Sequence, residues 1–248
     1  DYGRMYEVTQ WWIDMGLVNS KSVIKVGAAM GEGPQLRDSE WPTLLHTVVQ
    51  AAQGRVPVMG AISYKDTVRA IEDAKIAQDL GIIANQVTTP ALNSPTEDDN
   101  LRFFEDLSNA TDIGIMIYNT HFHGAPSIKA ETMLRLVDTE HVVAIKWNTP
   151  PNEDFNQMTK FSHEFNVINN GGDMIQFHKN GGKGTQSSIA AACPKYALDL
   201  WDLLEAKEYE KAKMELEKDK VRFELNGHST SCLLYTSDAA DDTPCVDL

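Results

Sequence analysis

Lys146 closes the apolar run Val142-Val143-Ala144-Ile145-Lys146, and Tyr118 closes the run Ile113-Gly114-Ile115-Met116-Ile117-Tyr118. A lysine that ends an otherwise apolar strand is partly withdrawn from water. Desolvation disfavours its ammonium form and lowers its pKa, leaving a neutral amine able to attack a carbonyl carbon and form an imine. A tyrosine on the neighbouring strand is within range to pass protons to that nitrogen or to a substrate oxygen. A lysine at a strand end is also an ordinary solvated cap, and a tyrosine there an ordinary rim ring. Residue type and position leave both readings open.

A second constellation is His121-Phe122-His123. In extended chain, residues two apart project the same way, so both imidazoles can face one metal ion, as in a metal-dependent barrel hydrolase. Such a site needs further ligands. His46 reads as helical and His141 as preceding a strand, and no compact acidic cluster accompanies them. The expectation is that the pair supplies hydrogen bonds or partial positive charge to a substrate. Trp147 either shapes the space beside Lys146 or packs against the next helix. Gly181-Gly182-Lys183-Gly184 lacks the spacing of a phosphate-binding loop, so Lys183 reads as solvated. The charged segment from Glu205 to Lys218 reads as a solvated helix, or one packed on a neighbouring subunit.

These residues sit in a repeating pattern of strand then helix. Ser22 to Val26 is a first apolar run, followed by a helix with Leu45, Val48, Val49 and Ala52 on one side. Val56 to Met59 precedes a helix carrying Val68, Ile71, Ala74 and Ala77. Ile82 to Val87 leads into Thr88-Thr89-Pro90. Thr96 and Asp99 form a capping-box signature ahead of Leu101, Phe104 and Leu107. The runs ending at Tyr118 and Lys146 follow, the first with a helix bearing Met133, Leu134 and Val137. Asn166 to Ile168 and Thr185 to Ser188 complete the set. Repeated units of this kind imply a parallel sheet with right-handed crossovers, covered on both faces. Seven strands can be counted, after a helix with Met5, Val8, Trp12 and Met15 in one stripe. The expected fold is a (β/α)8 TIM barrel lacking its first strand, over residues 1–226. Residues 227–248 carry no periodicity and read as non-native read-through. An open doubly wound sheet competes, but no Gly-x-Gly-x-x-Gly follows the first strand.

The chain has 248 residues with formal net charge −14 and 42% hydrophobic residues. One large domain fits that length, and the acidity argues against a nucleic-acid face. No apolar stretch is long enough to cross a membrane. Cys193, Cys232 and Cys245 fit neither a disulfide framework nor a zinc spacing, which points to a reducing cytoplasm.

Gly54-Arg55-Val56-Pro57-Val58, Thr88-Thr89-Pro90, Tyr118-Asn119, Ile145-Lys146 and Gly181-Gly182-Lys183-Gly184 stand in an order and spacing that resemble the dihydrodipicolinate synthase / N-acetylneuraminate lyase superfamily. Gly31-Glu32 matches the end of that family's Gly-Thr-Thr-Gly-Glu loop. The resemblance implies that Lys146 forms an imine with pyruvate or a related 2-keto acid and that Tyr118 transfers protons. It also implies that Ala29 and Met30 offer backbone N–H groups to the keto-acid carboxylate, and that Gln186 faces the imine through its carbonyl. No cofactor is implied, and a homo-oligomer is. Three departures count against the synthase reaction itself. Ala29 and Met30 stand where hydroxyl residues are usual, Ala91-Leu92 where paired tyrosines are usual, and His123 where a substrate-binding arginine is usual. A lyase, aldolase or hydratase-aldolase with another acceptor is expected, with a metal-dependent hydrolase or a non-catalytic keto-acid binder as alternatives.

Overall fold

The computed structural model describes residues 1–226 apart from 91, 93, 122–126, 152 and 188, with side chains to residue 218. His123 and the tail from 227 lie outside the described residues. Seven strands form one parallel sheet in sequence order: β1 (Ile24–Lys25), β2 (Val58–Ile62), β3 (Ala84–Thr88), β4 (Gly114–Tyr118), β5 (Val142–Trp147), β6 (Asn166–Asn169) and β7 (Gly184–Thr185). Around them run α1 (Tyr2–Asp14), α2 (Glu40–Ala52), α3 (Thr67–Asp79), α4 (Glu97–Ala110), α5 (Ala130–Leu134), α6 (Met174–Lys179), α7 (Ile189–Ala192), α8 (Pro194–Glu205) and α9 (Tyr209–Asn226).

The sheet is rolled. Six inter-strand steps of about 4.8 Å would hold β1 and β7 roughly 29 Å apart in a flat sheet, far beyond the reach of two side chains. Instead Lys25 Nζ, on β1, donates to Gln186 Oε1, one residue past β7. Trp12 Nε1 of α1 also donates to the carbonyl of Ala191 in α7 at 2.9 Å, and Lys21 pairs with Asp202 of α8 at 2.7 Å. Side chains and helices therefore bridge this seam, where the described residues form no backbone ladder.

Helix faces decide most of the packing. The capping box at Thr96 and Asp99 forms as expected, and Leu101, Phe104 and Leu107 of α4 are buried. In α3 the buried stripe is Ala70, Ala74 and Ala77, while Val68 is 66% exposed. Alanines let this helix lie close to the sheet, so the larger Val68 is turned outward. In α1 the buried residues are Thr9 and Ile13, with Met5 and Trp12 only partly covered and Met15 exposed. Of the charged segment from Glu205 to Lys218, Glu205 ends α8 and the residues from Tyr209 belong to α9, the chain breaking between them at Lys207 with φ +57°. Cys193 is disulfide-bonded, against the expectation from the cysteine spacing.

One irregularity in the sheet sets the register of β4 against β5. Ile115 pairs with Val142, but Met116 pairs with Ala144, so Val143 is an extra residue on β5. Parallel strands carry such bulges rarely. Without it Tyr118 would stand opposite Ile145; with it Tyr118 stands opposite Lys146. A one-residue slip exchanges the two faces of a strand, so the bulge also decides that Lys146 and not Ile145 points inward.

Ile145 is fully buried and Val143 is 43% exposed. Ile145→Ala should cost about 2–5 kcal/mol in urea unfolding, whereas Val143→Ala should stay within about 0.5 kcal/mol. Deleting Val143 should destabilise more than Ile145→Ala, because it drives Lys146 toward the helix layer.

Candidate active site

Lys146 and Tyr118 are paired neighbours at the C-terminal ends of β5 and β4, the end of a parallel α/β sheet where catalytic groups gather. Lys146 is 3% exposed and Tyr118 7%. The lysine Nζ lies over the tyrosine ring, 3.7 Å from its centroid. Burial brings the Lys146 pKa down from 10.5 to about 7. The ring face attracts a cation and so acts against that shift; desolvation is the larger effect. The amine is thus divided between free base and ammonium near neutral pH.

The Tyr118 hydroxyl meets Asn170 Nδ2 at 3.5 Å, at the outer limit of a hydrogen bond. A second phenol stands nearby. Tyr64, just past β2, has its pKa raised by burial and then by the charge of Tyr118. Its φ of +59° is a left-handed conformation that a bulky side chain rarely adopts. The strained turn is held by its own N–H, which donates to Thr88 Oγ1 at 2.9 Å, and Thr88 pairs with Tyr118 across the β3–β4 ladder. Sequence reading passed over Tyr64. Its signal is slight, an aromatic residue two positions after a strand.

Ala29 and Met30 begin a 3-10 turn, Ala29–Gly31, four residues after Lys25 of β1. The first N–H groups of such a turn have no partner within it and are available to an anion. The loop is closed tightly: a Cβ on Gly33 would lie 1.6 Å from the Gly27 carbonyl oxygen. Trp41 Nε1 donates to the Ala61 carbonyl at 3.1 Å and fixes the helix beside it. His121 is exposed and its Nδ1 lies 3.3 Å from Asn148 Nδ2, just past β5. Among the described residues no three His, Cys, Asp or Glu stand together as a metal site. Trp147 is buried and packs edge-on against Phe161 at 4.9 Å, so it belongs to the layer outside the sheet.

Gln186 is brought to the interior by its side chain. Its Oε1 accepts from Lys25 Nζ, which also donates to Gln86 Oε1 at 2.6 Å. Lys25 is the other residue that sequence reading missed. A cation inside Val23-Ile24-Lys25-Val26 was the available signal, since lysine is among the residues least often enclosed. Burial, and then the charge of Lys146, hold the Lys25 pKa well below 10.5.

Residues 3–223 match the Dihydrodipicolinate synthetase family. A 4-hydroxy-tetrahydrodipicolinate synthase of Halalkalibacterium halodurans is 35% identical over 140 residues, 56% of this chain and 48% of that protein. One from Methylobacterium radiotolerans is 28% identical over 214 residues, 86% of this chain and 70% of that protein. The chain thus spans about half the length of the first of these relatives. Among solved structures, dihydrodipicolinate synthase from Aquifex aeolicus superimposes with a TM-score of 0.82 at 23% identity, covering 93% of this chain and 78% of that one. The Acinetobacter baumannii enzyme, crystallised with pyruvate, gives 0.80 at 23%, covering 88% and 74%. These likenesses place the rolled sheet among TIM-barrel folds. The chain belongs to the dihydrodipicolinate synthetase family.

Proposed function

We propose that this chain is a lyase or aldolase that holds a 2-keto acid as an imine on Lys146. The observation that carries the reading is the buried amine of Lys146, with a pKa of about 7, in register with Tyr118. A free amine attacks the C2 carbonyl carbon and loses water to give a protonated imine. The imine draws electrons from the neighbouring carbon, which then loses a proton or breaks a carbon–carbon bond. Tyr118 passes the proton to and from the substrate oxygen. The amides of Ala29 and Met30 hold the carboxylate, and Gln186 borders the imine. The electron sink is the imine, so the reaction asks for no metal or organic cofactor.

Pyruvate or a close relative is the proposed first substrate; pyruvate sits in the solved Acinetobacter relative. The curated relatives carry the name of the synthase. For this chain we nonetheless favour another acceptor, because Ala29, Met30, Ala91, Leu92 and His123 replace the groups with which the synthase reaction is associated. His123 then binds the second substrate. We assign the seam between β1 and β7 as the place of an eighth strand, and the working form as a homo-oligomer in the cytoplasm. No helix among the described residues is long and apolar enough to cross a membrane.

Borohydride with pyruvate should add a stable mass to Lys146, and Lys146→Ala should abolish it. The rate should rise with pH through about 7 and then level off, with roughly one amine in a hundred free two pH units lower. Absence of an adduct with every 2-keto acid tried would sink the assignment. Tyr118→Phe should still form the adduct but slow turnover roughly 10²–10⁴-fold, read by exchange of the keto acid's C3 protons in deuterated water.

The same burial penalises folding whenever the amine is charged. The unfolded chain keeps its lysine protonated up to about 10.5, while the folded chain releases that proton near 7. The cost is therefore full below pH 7, shrinks between 7 and 10.5, and vanishes above. Lys146→Met should accordingly raise stability by on the order of 4 kcal/mol at pH 6, before discounting for residual solvation, and by little at pH 10.5. Urea unfolding at several pH values measures it, and a gain independent of pH would contradict the burial argument.

A further inference from the structure

Tyr118, Lys146 and Ile168 stand side by side on β4, β5 and β6. Asn170 lies two residues beyond Ile168 and so faces the same interior, one position nearer the mouth of the barrel. Its Nδ2 donates to the Tyr118 hydroxyl oxygen at 3.5 Å. Two inter-strand steps of about 4.8 Å separate β4 from β6, so this contact forms only if the phenol leans across β5. The amine of Lys146 is found against the face of that ring, 3.7 Å from its centroid. Phenol, amine and amide thus span three neighbouring strands. The proposed reaction gives the amide no task.

The chain fixes that amide locally. Asn169 Oδ1 accepts from the Gly171 N–H at 2.8 Å, an Asx turn, and the Gln186 N–H donates to the Asn169 carbonyl at 3.1 Å. Gly171 and Gly172 follow with φ of +133° and +87°. Asp173 then caps α6, accepting from the N–H groups of Ile175 and Gln176 at 2.9 Å. Asn170 is therefore held between the end of β6 and a helix cap. The sense of its hydrogen bond matters as much as its place. A phenol has one proton to give and lone pairs with which to accept. The amide N–H takes up a lone pair, so the phenol's own proton stays available to a third group. Charge that gathers on the oxygen once the proton leaves is stabilised by the same N–H.

We infer that Asn170 is a positioning residue for Tyr118: its amide N–H holds the phenol across the amine of Lys146 and leaves the phenol's own proton for the substrate oxygen. The inference rests on the reading of Lys146 as the imine-forming amine. Once the amine has added to C2, the phenol O–H bond breaks and its proton joins the departing hydroxyl, which leaves as water while the imine forms. The electron pair stays on the phenol oxygen, beside the Asn170 N–H. That oxygen then takes a proton from C3; the C3–H pair moves into the C2–C3 bond and the C=N pair returns to nitrogen. At 3.5 Å the contact is long, and catalytic hydrogen bonds commonly tighten as the reacting oxygen gains charge. Asn170 also belongs to the turn after β6, so a purely structural role is the reading to be separated from it.

A double-mutant cycle on the full chain separates the two, read by exchange of pyruvate's C3 protons in deuterated water. Asn170→Ala should slow exchange about tenfold, the low end for a hydrogen bond to a charged group. In Tyr118→Phe, which has no hydroxyl to hold, adding Asn170→Ala should change the remaining rate by less than about twofold. Equal slowing in both backgrounds overturns the inference, since a damaged turn acts with or without the phenol; so does no slowing in either. Asn170→Asp keeps the shape but can only accept, so it should slow exchange more than Asn170→Ala. It stands in if the alanine variant does not fold, and an aspartate variant as fast as the wild type overturns the inference equally. If the wild type neither exchanges protons nor is trapped by borohydride, the imine reading fails while the contact stays readable. With tyrosine isotope-labelled at Cζ, the Tyr118 resonance, identified by its loss in Tyr118→Phe, should move downfield in Asn170→Asp, where the phenol donates to a carboxylate. A resonance that stays in place overturns the role of Asn170 by itself.

Discussion

Enclosing a lysine amine without an anionic partner is the condition on which the rest of this site depends. Ordinarily a folded chain avoids it, because an ammonium removed from water with no counter-charge is costly. Here the sheet leaves little alternative. Tyr118 covers one side of Lys146, and Ile145 and Trp147, its neighbours on the strand, are committed to the layer beneath the helices. The extra residue at Val143 completes the constraint by turning Lys146 to the inside at the level of Tyr118. Removing solvent from the amine and aligning it with the phenol are thus the same structural event.

That event has consequences around the whole sheet. A barrel interior usually fills with branched apolar side chains in layers. This one also carries a second lysine and two glutamines, and the contact between Lys25 and Gln186 reaches across the seam between the first and last strands. The polar cluster therefore helps to close the sheet. Amide oxygens are suited to that task, since they accept hydrogen bonds from a buried amine without adding a charge of their own.

The strand–helix order and the placing of Lys146 and Tyr118 at neighbouring strand ends were legible in the sequence because they lie on long periodic segments with apolar neighbours. The capping box at Thr96 was legible for a local reason: it needs only four consecutive residues. What escaped depends on tertiary geometry. Val68 obeys the helical period yet faces outward, because the small Ala70, Ala74 and Ala77 bring α3 close to the sheet on their own side. Lys25 and Gln86 sit in short apolar runs, where one polar residue looks like the solvent face of a strand. Only the rolling of the sheet turns that face inward. Tyr64 lies in a turn whose left-handed conformation no residue there announces.

The bulge is the most instructive of these. Nothing in Val142-Val143-Ala144-Ile145-Lys146 marks Val143 as the supernumerary residue, and simple alternation would pair Tyr118 with Ile145. Recognising the strand end was enough to nominate Lys146, but not to say which way it points. The answer follows from burial on both sides of the strand. Ile145 and Trp147 have a place beneath the helices, where Trp147 packs against Phe161. Swapping Lys146 into that layer would put an ammonium among apolar rings. Turning Ile145 inward would set an aliphatic side chain beside Tyr118 in place of the amine of Lys146. The packing of the outer layer thereby selects the register, and the register supplies the inner layer with its chemistry.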